Sequence, residues 1–201
     1  MSFKSDISFY DSHIHLSDTE YSDILSYLLE SMNALNIKAC SVTVDIGTSI
    51  RALKLFQSQR EIIRNFVGIH PQFANRTESS VFEEIVSQNH EIIDGIGEIG
   101  LDSKYCDGQN DYSVQRKVFE QMLDIASVIK KPVSIHSRGS LDEILDDCSG
   151  RPNPYALRIL TLTSQHYPHD RASTPRANAR LARPVPDGDA ARQGRSRSAT
   201  G

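Results

Sequence analysis

The sequence contains few cysteines and no long hydrophobic run. Cys40, Cys106 and Cys148 are widely spaced and form no CxxC pair, which argues against a disulfide framework or a zinc knuckle and favours reduced thiols. No apolar stretch approaches the roughly 20 residues that a helix needs to span a bilayer. The N-terminal residues MSFKSDISFYD lack the apolar segment of a signal peptide. We therefore expect a cytoplasmic protein with no membrane partner.

Charge is unevenly divided along the chain. Residues 1–150 contain 13 Lys and Arg against 23 Asp and Glu, whereas residues 151–201 contain nine Arg, no Lys and three Asp. The second segment also has six of the eight prolines. It buries too little apolar surface to offset chain entropy and is predicted to be mostly disordered. Two interpretations remain open: a basic tail that attaches to nucleic acid, or a non-native C-terminus from a frameshift or truncation.

Residues 1–150 alternate between β-rich apolar runs and segments of helical periodicity. Strands are predicted at 7–10, 39–44, 66–69, 92–96 and 132–135, with a possible sixth at 157–162; helices are predicted around 21–35, 53–56, 81–86, 114–126 and 141–145. A period of about 30 residues predicts a (β/α)8 TIM-type barrel, incomplete at five to six units. A doubly wound sheet is the alternative, but no GxGxxG follows the first strand, so no organic cofactor is expected.

The potential metal ligands and substrate contacts fall at one end of these predicted strands. His13 and His15 follow the first strand, His70 ends the third, Glu98 the fourth and His136 the fifth. Parallel barrels build their sites at the carboxyl ends of their strands. We therefore expect these side chains to converge on one site.

His13 and His15 are two residues apart, so on a strand both side chains point to the same face. Both imidazoles can then approach one ion, while Ile14 points into the layer between sheet and helices. Glu98 has two carboxylate oxygens that can bridge two cations, as in two-metal phosphoryl transfer sites. We interpret the neighbouring glycines 95, 97 and 100 as making room for an ion or substrate.

Three further residues have two interpretations each. His70 precedes Pro71, which keeps the strand end extended, and we interpret it as a substrate contact more than as a ligand. Arg138 suits bidentate phosphate recognition, or it forms a surface ion pair with Asp142. Asp102 either orients a metal ligand or begins the following loop.

Five motifs resemble those of TatD-like metal-dependent nucleases, a branch of the amidohydrolase-like barrels: DSHIHLSD, VGIHPQ, GIGEIGLD, QRKVFEQMLDIA and PVSIHSRGS. The resemblance covers about residues 6–148. It implies a TIM-type barrel that hydrolyses phosphodiester bonds of DNA with, usually, two divalent ions (Mg, Mn or Zn). By motif match it implies that His13 and His15 ligate one ion, that His136 ligates the second and that Glu98 bridges both. His70 and Arg138 would hold the substrate phosphate.

The sequence departs from the family pattern after residue 150. A histidine in an LHxFSG-like motif and a catalytic aspartate in a TDxP-like motif are both missing. His166 follows an apolar run, but its surroundings, SQHY, do not match that motif. We therefore expect residues 1–150 to form a partial barrel that is C-terminally truncated or frameshifted and impaired in activity. Hydrolysis of a small-molecule ester or amide, and an inactive remnant, remain alternatives.

Overall fold

The computed structural model describes residues 7–74, 76–106, 111–149 and 159–160, and of 76–79 and 159–160 only the backbone. The boundary predicted at Gly150, His166 and almost all of the predicted tail lie outside these residues. Strands and helices alternate as follows: β1 Phe9–Ile14, α1 Leu25–Ala34, β2 Ile37–Val42, α2 Ile46–Phe56, β3 Ile63–Val67, α3 Arg76–Asn89, β4 Gly95–Asp102, α4 Tyr112–Val128, β5 Val133–Arg138, α5 Leu141–Ser149 and β6 Ile159–Leu160.

The six strands form one parallel sheet in chain order, from β1 to β6. This order confirms the prediction of an incomplete TIM-type barrel, since a doubly wound sheet reverses its strand order. The short strand β6 lies inside the predicted sixth strand and pairs with β5. No helix in the described part of the chain is long and apolar enough to cross a membrane.

Three strands extend further toward their carboxyl ends than predicted. β1 includes His13, β4 runs past Glu98 to Asp102, and β5 runs past His136 to Arg138. The predicted strands end where the apolar runs of the sequence end. Glu98 is 3% exposed and His136 is 8% exposed, so these polar groups belong to the enclosed face of the sheet.

Helix α2 begins earlier than its apolar periodicity predicted, at Ile46. Its N-cap residue is Asp45, whose Oδ1 accepts a hydrogen bond from the backbone N–H of Thr48 at 2.7 Å. The hydroxyl of Thr48 in return accepts one from the backbone N–H of Asp45 at 3.1 Å. This reciprocal capping box satisfies N–H groups that the first turn leaves unpaired, and it fixes the β2–α2 connection.

The hydrophobic core has two parts. The larger packs helices α3, α4 and α5 against β3, β4 and β5 and includes Phe82, Ile99 and Phe119. The smaller lies beneath α1 and α2 and includes Phe56, and Ile14 packs against it as predicted. We refer to the larger part, formed by β3–β5 and α3–α5, as the buried half. We refer to the smaller part, with β1, α1 and α2, as the edge half.

The glycines around Glu98 make room for neighbouring strands, so our interpretation of them as room for an ion or substrate was wrong. A Cβ on Gly95 would collide with the ring of Phe66, and one on Gly97 would come within 2.6 Å of the Ser134 Cβ. A Cβ on Gly100, which has a φ of +151°, would collide with the carbonyl oxygen of His136. These positions need glycine because the strands approach closely.

Candidate metal centre

The first ligand group joins β1 to β4. Nε2 of His13 lies 3.2 Å from Nε2 of His15 and 3.3 Å from Oε2 of Glu98. Nε2 of His15 lies 3.6 Å from the same oxygen. His13 lies near the end of β1 and His15 directly after it, and both imidazoles reach the same carboxylate oxygen of Glu98 on β4.

A second group lies on the other oxygen of Glu98. Nδ1 of His136 is 3.2 Å from Oε1 of Glu98, and the rings of His70 and His136 meet edge to face, with centroids 4.3 Å apart. His70, Glu98 and His136 offer ligand atoms within 4.8 Å of one another, as do His13, His15 and Glu98. Glu98 therefore belongs to both groups and presents one oxygen to each.

The donor atoms of the first group fit a divalent ion. A metal–donor distance of about 2.1 Å places neighbouring ligands about 3.0–3.4 Å apart, close to the separations among His13, His15 and Glu98. Two imidazole nitrogens and one carboxylate oxygen thus converge within 4.8 Å of one another, a donor set that zinc and other divalent ions accept, so the residues present fit a metal.

Charge in the centre concentrates on Glu98. Burial would raise the pKa of this carboxyl, but hydrogen bonds from His13 and His136 outweigh burial and hold the pKa well below its usual range. Burial likewise would lower the pKa of His136, but its hydrogen bonds to Glu98 and Asp102 raise that pKa above its usual value. Glu98 is thus an anion in the folded chain, as a metal ligand must be.

His70 differs from the other histidines. Burial lowers its pKa to about 4, so the imidazole is neutral near pH 7. Its Nδ1 accepts a hydrogen bond from the backbone N–H of Gln72 at 3.1 Å. In a neutral ring that leaves the proton on Nε2, so His70 presents a hydrogen-bond donor to the centre.

Asp102 and Arg138 lie beside the second group. Oδ2 of Asp102 is 3.1 Å from Nε2 of His136, and Nη1 of Arg138 is 3.9 Å from that oxygen. Asp102 is the last residue of strand β4 and does not begin the following loop. Its side chain contacts His136, a candidate metal ligand. In the described ranges the ion-pair contact of Arg138 is with Asp102, and the alternative pairing with Asp142 is not observed.

The sequence analysis did not identify two residues that support the centre, Thr43 directly after β2 and Ser134 in β5. The carbonyl oxygen of Thr43 accepts the backbone N–H of Glu98 at 2.8 Å, and its N–H donates to Gly97 at 3.2 Å. Ser134 Oγ lies 3.5 Å from Nδ1 of His13. Thr43 is 1% exposed and Ser134 is fully buried; neither has a sequence signal that distinguishes it from a core residue.

The sequence of this chain is similar to those of known proteins. A protein of Buchnera aphidicola subsp. Baizongia pistaciae named as an uncharacterized metal-dependent hydrolase is 27% identical over 140 residues, which are 68% of this chain and 52% of that protein. The human 3'-5' RNA nuclease TATDN2 is 32% identical over 90 residues, covering 44% of this chain and 12% of that protein. The chain spans about half the length of the first of these.

The fold has a matching solved structure. YJJV, a TatD homolog from Escherichia coli K12, superposes with a TM-score of 0.61 at 18% identity, over 71% of this chain and 55% of that one. The profile of the family described as TatD related DNase matches residues 10–160, which contain both ligand groups. By this match and the motifs it covers, the chain belongs to the TatD-related DNase family, a family that includes metal-dependent hydrolases.

Proposed function

We propose that this protein hydrolyses phosphodiester bonds of DNA at a centre that holds two divalent ions. The observation that supports this most is the position of Glu98, which faces His13 and His15 with one oxygen and His136 with the other. A carboxylate shared between two cations is typical of sites that displace a leaving oxygen from phosphorus. Membership of a family described as DNases supports the choice of DNA.

In this proposal His13, His15 and Glu98 would hold one ion, and His136 and Glu98 would hold the second. Magnesium, manganese and zinc all remain candidates; imidazole ligands suit zinc, and oxygen ligands suit the other two. When bound, such ions act as Lewis acids that stabilise charge on phosphoryl oxygens and make water a better nucleophile near neutral pH.

His70 and Arg138 would hold the substrate. The Nε2–H of neutral His70 can donate to a phosphate oxygen, since its Nδ1 is already engaged by Gln72. The Arg138 side chain is 37% exposed, so its guanidinium can reach a phosphate at the mouth of the site. Glu98 and Asp102 both contact His136, so neither is well placed to take a proton from water, and we expect slow cleavage.

The first experiment compares cleavage of 3'-ended single-stranded DNA by the wild type and by the His13→Ala/His15→Ala double variant. Each protein is supplemented with Mg²⁺, Mn²⁺ or Zn²⁺ after treatment with a chelator. We expect metal-dependent cleavage by the wild type and at least a 100-fold loss in the variant. Equal cleavage by both proteins would contradict the proposal. Faster cleavage of an RNA strand than of DNA would make RNA the substrate in place of DNA.

A second experiment separates ion binding from activity. Calorimetric titration of the chelated protein should give two binding events, of which His13→Ala/His15→Ala removes one and His136→Ala the other. The Asp94→Asn variant is the matched control, because Asp94 pairs with Arg60 just before β4 begins, at the opposite end of the sheet. Loss of both events in Asp94→Asn would show that folding, and not ligation, controls the titration.

A second candidate function is hydrolysis of a small-molecule ester or amide. The acidic balance of residues 1–150, with 13 Lys and Arg against 23 Asp and Glu, favours it because a DNA-binding surface needs cations to neutralise phosphates. A salt titration distinguishes the two. Binding of DNA should weaken steeply with salt concentration, whereas binding of a small ester should change little.

A further inference from the structure

Asp102 occupies a position in the centre that the proposed ligand roles leave unexplained. It ends strand β4, four residues after Glu98, and its side chain is only 5% exposed. Burial of a carboxylate is costly unless it is hydrogen-bonded. Its partners therefore indicate what it does.

The two oxygens of Asp102 have different partners. Oδ1 accepts the backbone N–H of Lys104 at 2.9 Å, which ties the carboxylate to the turn after β4. Oδ2 lies 3.1 Å from Nε2 of His136. The side chain is thus fixed at one oxygen and directs the other at the imidazole.

Gln115 of helix α4 holds the backbone of Asp102 in place. Oε1 of Gln115, a fully buried residue, accepts the backbone N–H of Asp102 at 2.9 Å. Nε2 of the same amide donates to the carbonyl oxygen of Tyr105 at 2.6 Å. One amide therefore holds both the end of β4 and the turn after it.

His136 consequently has a carboxylate at each ring nitrogen. Glu98 lies at Nδ1 and Asp102 at Nε2, at 3.2 and 3.1 Å. An imidazole ligates a metal through one nitrogen and keeps the proton on the other, and a hydrogen-bond acceptor at the second nitrogen fixes this tautomer and the ring orientation.

We propose that Asp102 is a positioning residue that keeps the proton of His136 on Nε2 and presents the Nδ1 lone pair to an ion shared with Glu98. This inference rests on the proposed metal centre. Asp102 acts on one of the two ligand groups, because His13 and His15 lie on the other oxygen of Glu98. Gln115 supports it by holding its backbone.

The test measures each ion separately in Asp102→Asn and Asp102→Ala, with Asp94→Asn as the matched control. Asp94 is also a carboxylate with one oxygen on a backbone N–H, that of Asn65 at 3.0 Å, and the other on a basic side chain. We expect Asp102→Asn to weaken the ion lost in His136→Ala about 10–100-fold and to leave the other ion unchanged. Asp94→Asn should change neither affinity.

A spectroscopic measurement reports the tautomer directly. Long-range proton–nitrogen spectra of histidine-labelled, Zn²⁺-loaded protein, assigned with His136→Ala, should show the His136 proton on Nε2 in the wild type. In Asp102→Ala that signal should shift or broaden through exchange with water. A role in folding alone would lower the melting temperature without changing this signal.

The possible failures are distinguishable. An unchanged His136 signal, or equal weakening of both ions in Asp102→Asn, would overturn the role of Asp102 and leave the metal centre intact. Complete loss of the second ion, equal to that in His136→Ala, would make Asp102 a ligand and overturn its role as a positioning residue. A wild-type chain that binds no ion would overturn both the centre and this inference.

Discussion

Strands β1 and β4 supply ligands to the same centre but have very different surroundings. All eight residues of β4 are buried, whereas Phe9 and Tyr10 of β1 are 58% and 72% exposed. Strand β4 lies between β3 and β5, and in the described part of the chain β1 pairs with β2 alone. The buried half therefore holds its ligands by packing, whereas the two histidines of the edge half are held by contacts of their rings with Glu98 and Ser134.

Truncation of an aromatic ring should show the largest difference between the halves. Phe119 is 1% exposed in the core of the buried half and Phe9 is 58% exposed on β1. We expect Phe119→Ala to lower the free energy of unfolding by about 3–5 kcal/mol and Phe9→Ala by less than about 1 kcal/mol. Urea denaturation followed by circular dichroism measures both, and similar losses would mean that β1 is covered in solution.

The second-largest difference in stability between the two halves is expected for glycine-to-alanine substitutions. Gly100→Ala places a Cβ against the carbonyl oxygen of His136 at a positive φ, and we expect it to cost about 3 kcal/mol. Gly47→Ala in helix α2 meets only Oδ1 of Asp45, at 3.5 Å, and should be neutral or stabilise the chain by about 0.5 kcal/mol. Thermal unfolding of the two variants checks the prediction, which an unchanged Gly100→Ala would contradict.

Substitutions of the candidate ligands in the two halves should change the free energy of unfolding by different amounts when no metal is present. His136→Ala leaves the buried carboxylates of Glu98 and Asp102 without a shared partner, and we expect a cost of about 1–3 kcal/mol. The side chain of His15 is 30% exposed, so His15→Ala should change the free energy of unfolding by no more than about 0.5 kcal/mol. Denaturation with a chelator present measures both.

The cost of His136→Ala should depend on pH. Its partners raise the pKa of His136 in the folded chain above its unfolded value of about 6.5. The stabilisation is therefore fully present below that value and is lost as pH rises through the folded-state pKa. The difference between wild type and variant should be largest under mildly acidic conditions, and a difference that grows with pH would contradict this assignment.

The smallest effect is expected at the helix cap of the edge half. Asp45→Ala removes the acceptor for the backbone N–H of Thr48 and should cost about 1 kcal/mol. Asp45→Asn keeps an acceptor at this position and should retain most of that stability. If Asp45→Ala unfolds at the same urea concentration as the wild type, the cap does not stabilise α2.

The sequence predicted the fold through the alternation of strand and helix periods, because each unit buries its own apolar face. It also predicted which side chains converge, since the carboxyl ends of parallel strands share one edge. It did not predict where β4 and β5 end, because Glu98 and His136 are polar residues that burial and mutual hydrogen bonds keep inside strands. The purpose of Gly100 was also not predictable, because it depends on the register between two strands.

The backbone bond between Glu98 and Thr43 has a practical consequence. The backbone N–H of Glu98 donates at 2.8 Å to the carbonyl oxygen of Thr43, the residue after β2, and this bond does not involve the carboxylate. Replacing the side chain at position 98 therefore leaves this backbone contact available. Aspartate or cysteine at this position would change the donor atoms of the proposed metal centre while the backbone contact stays in place.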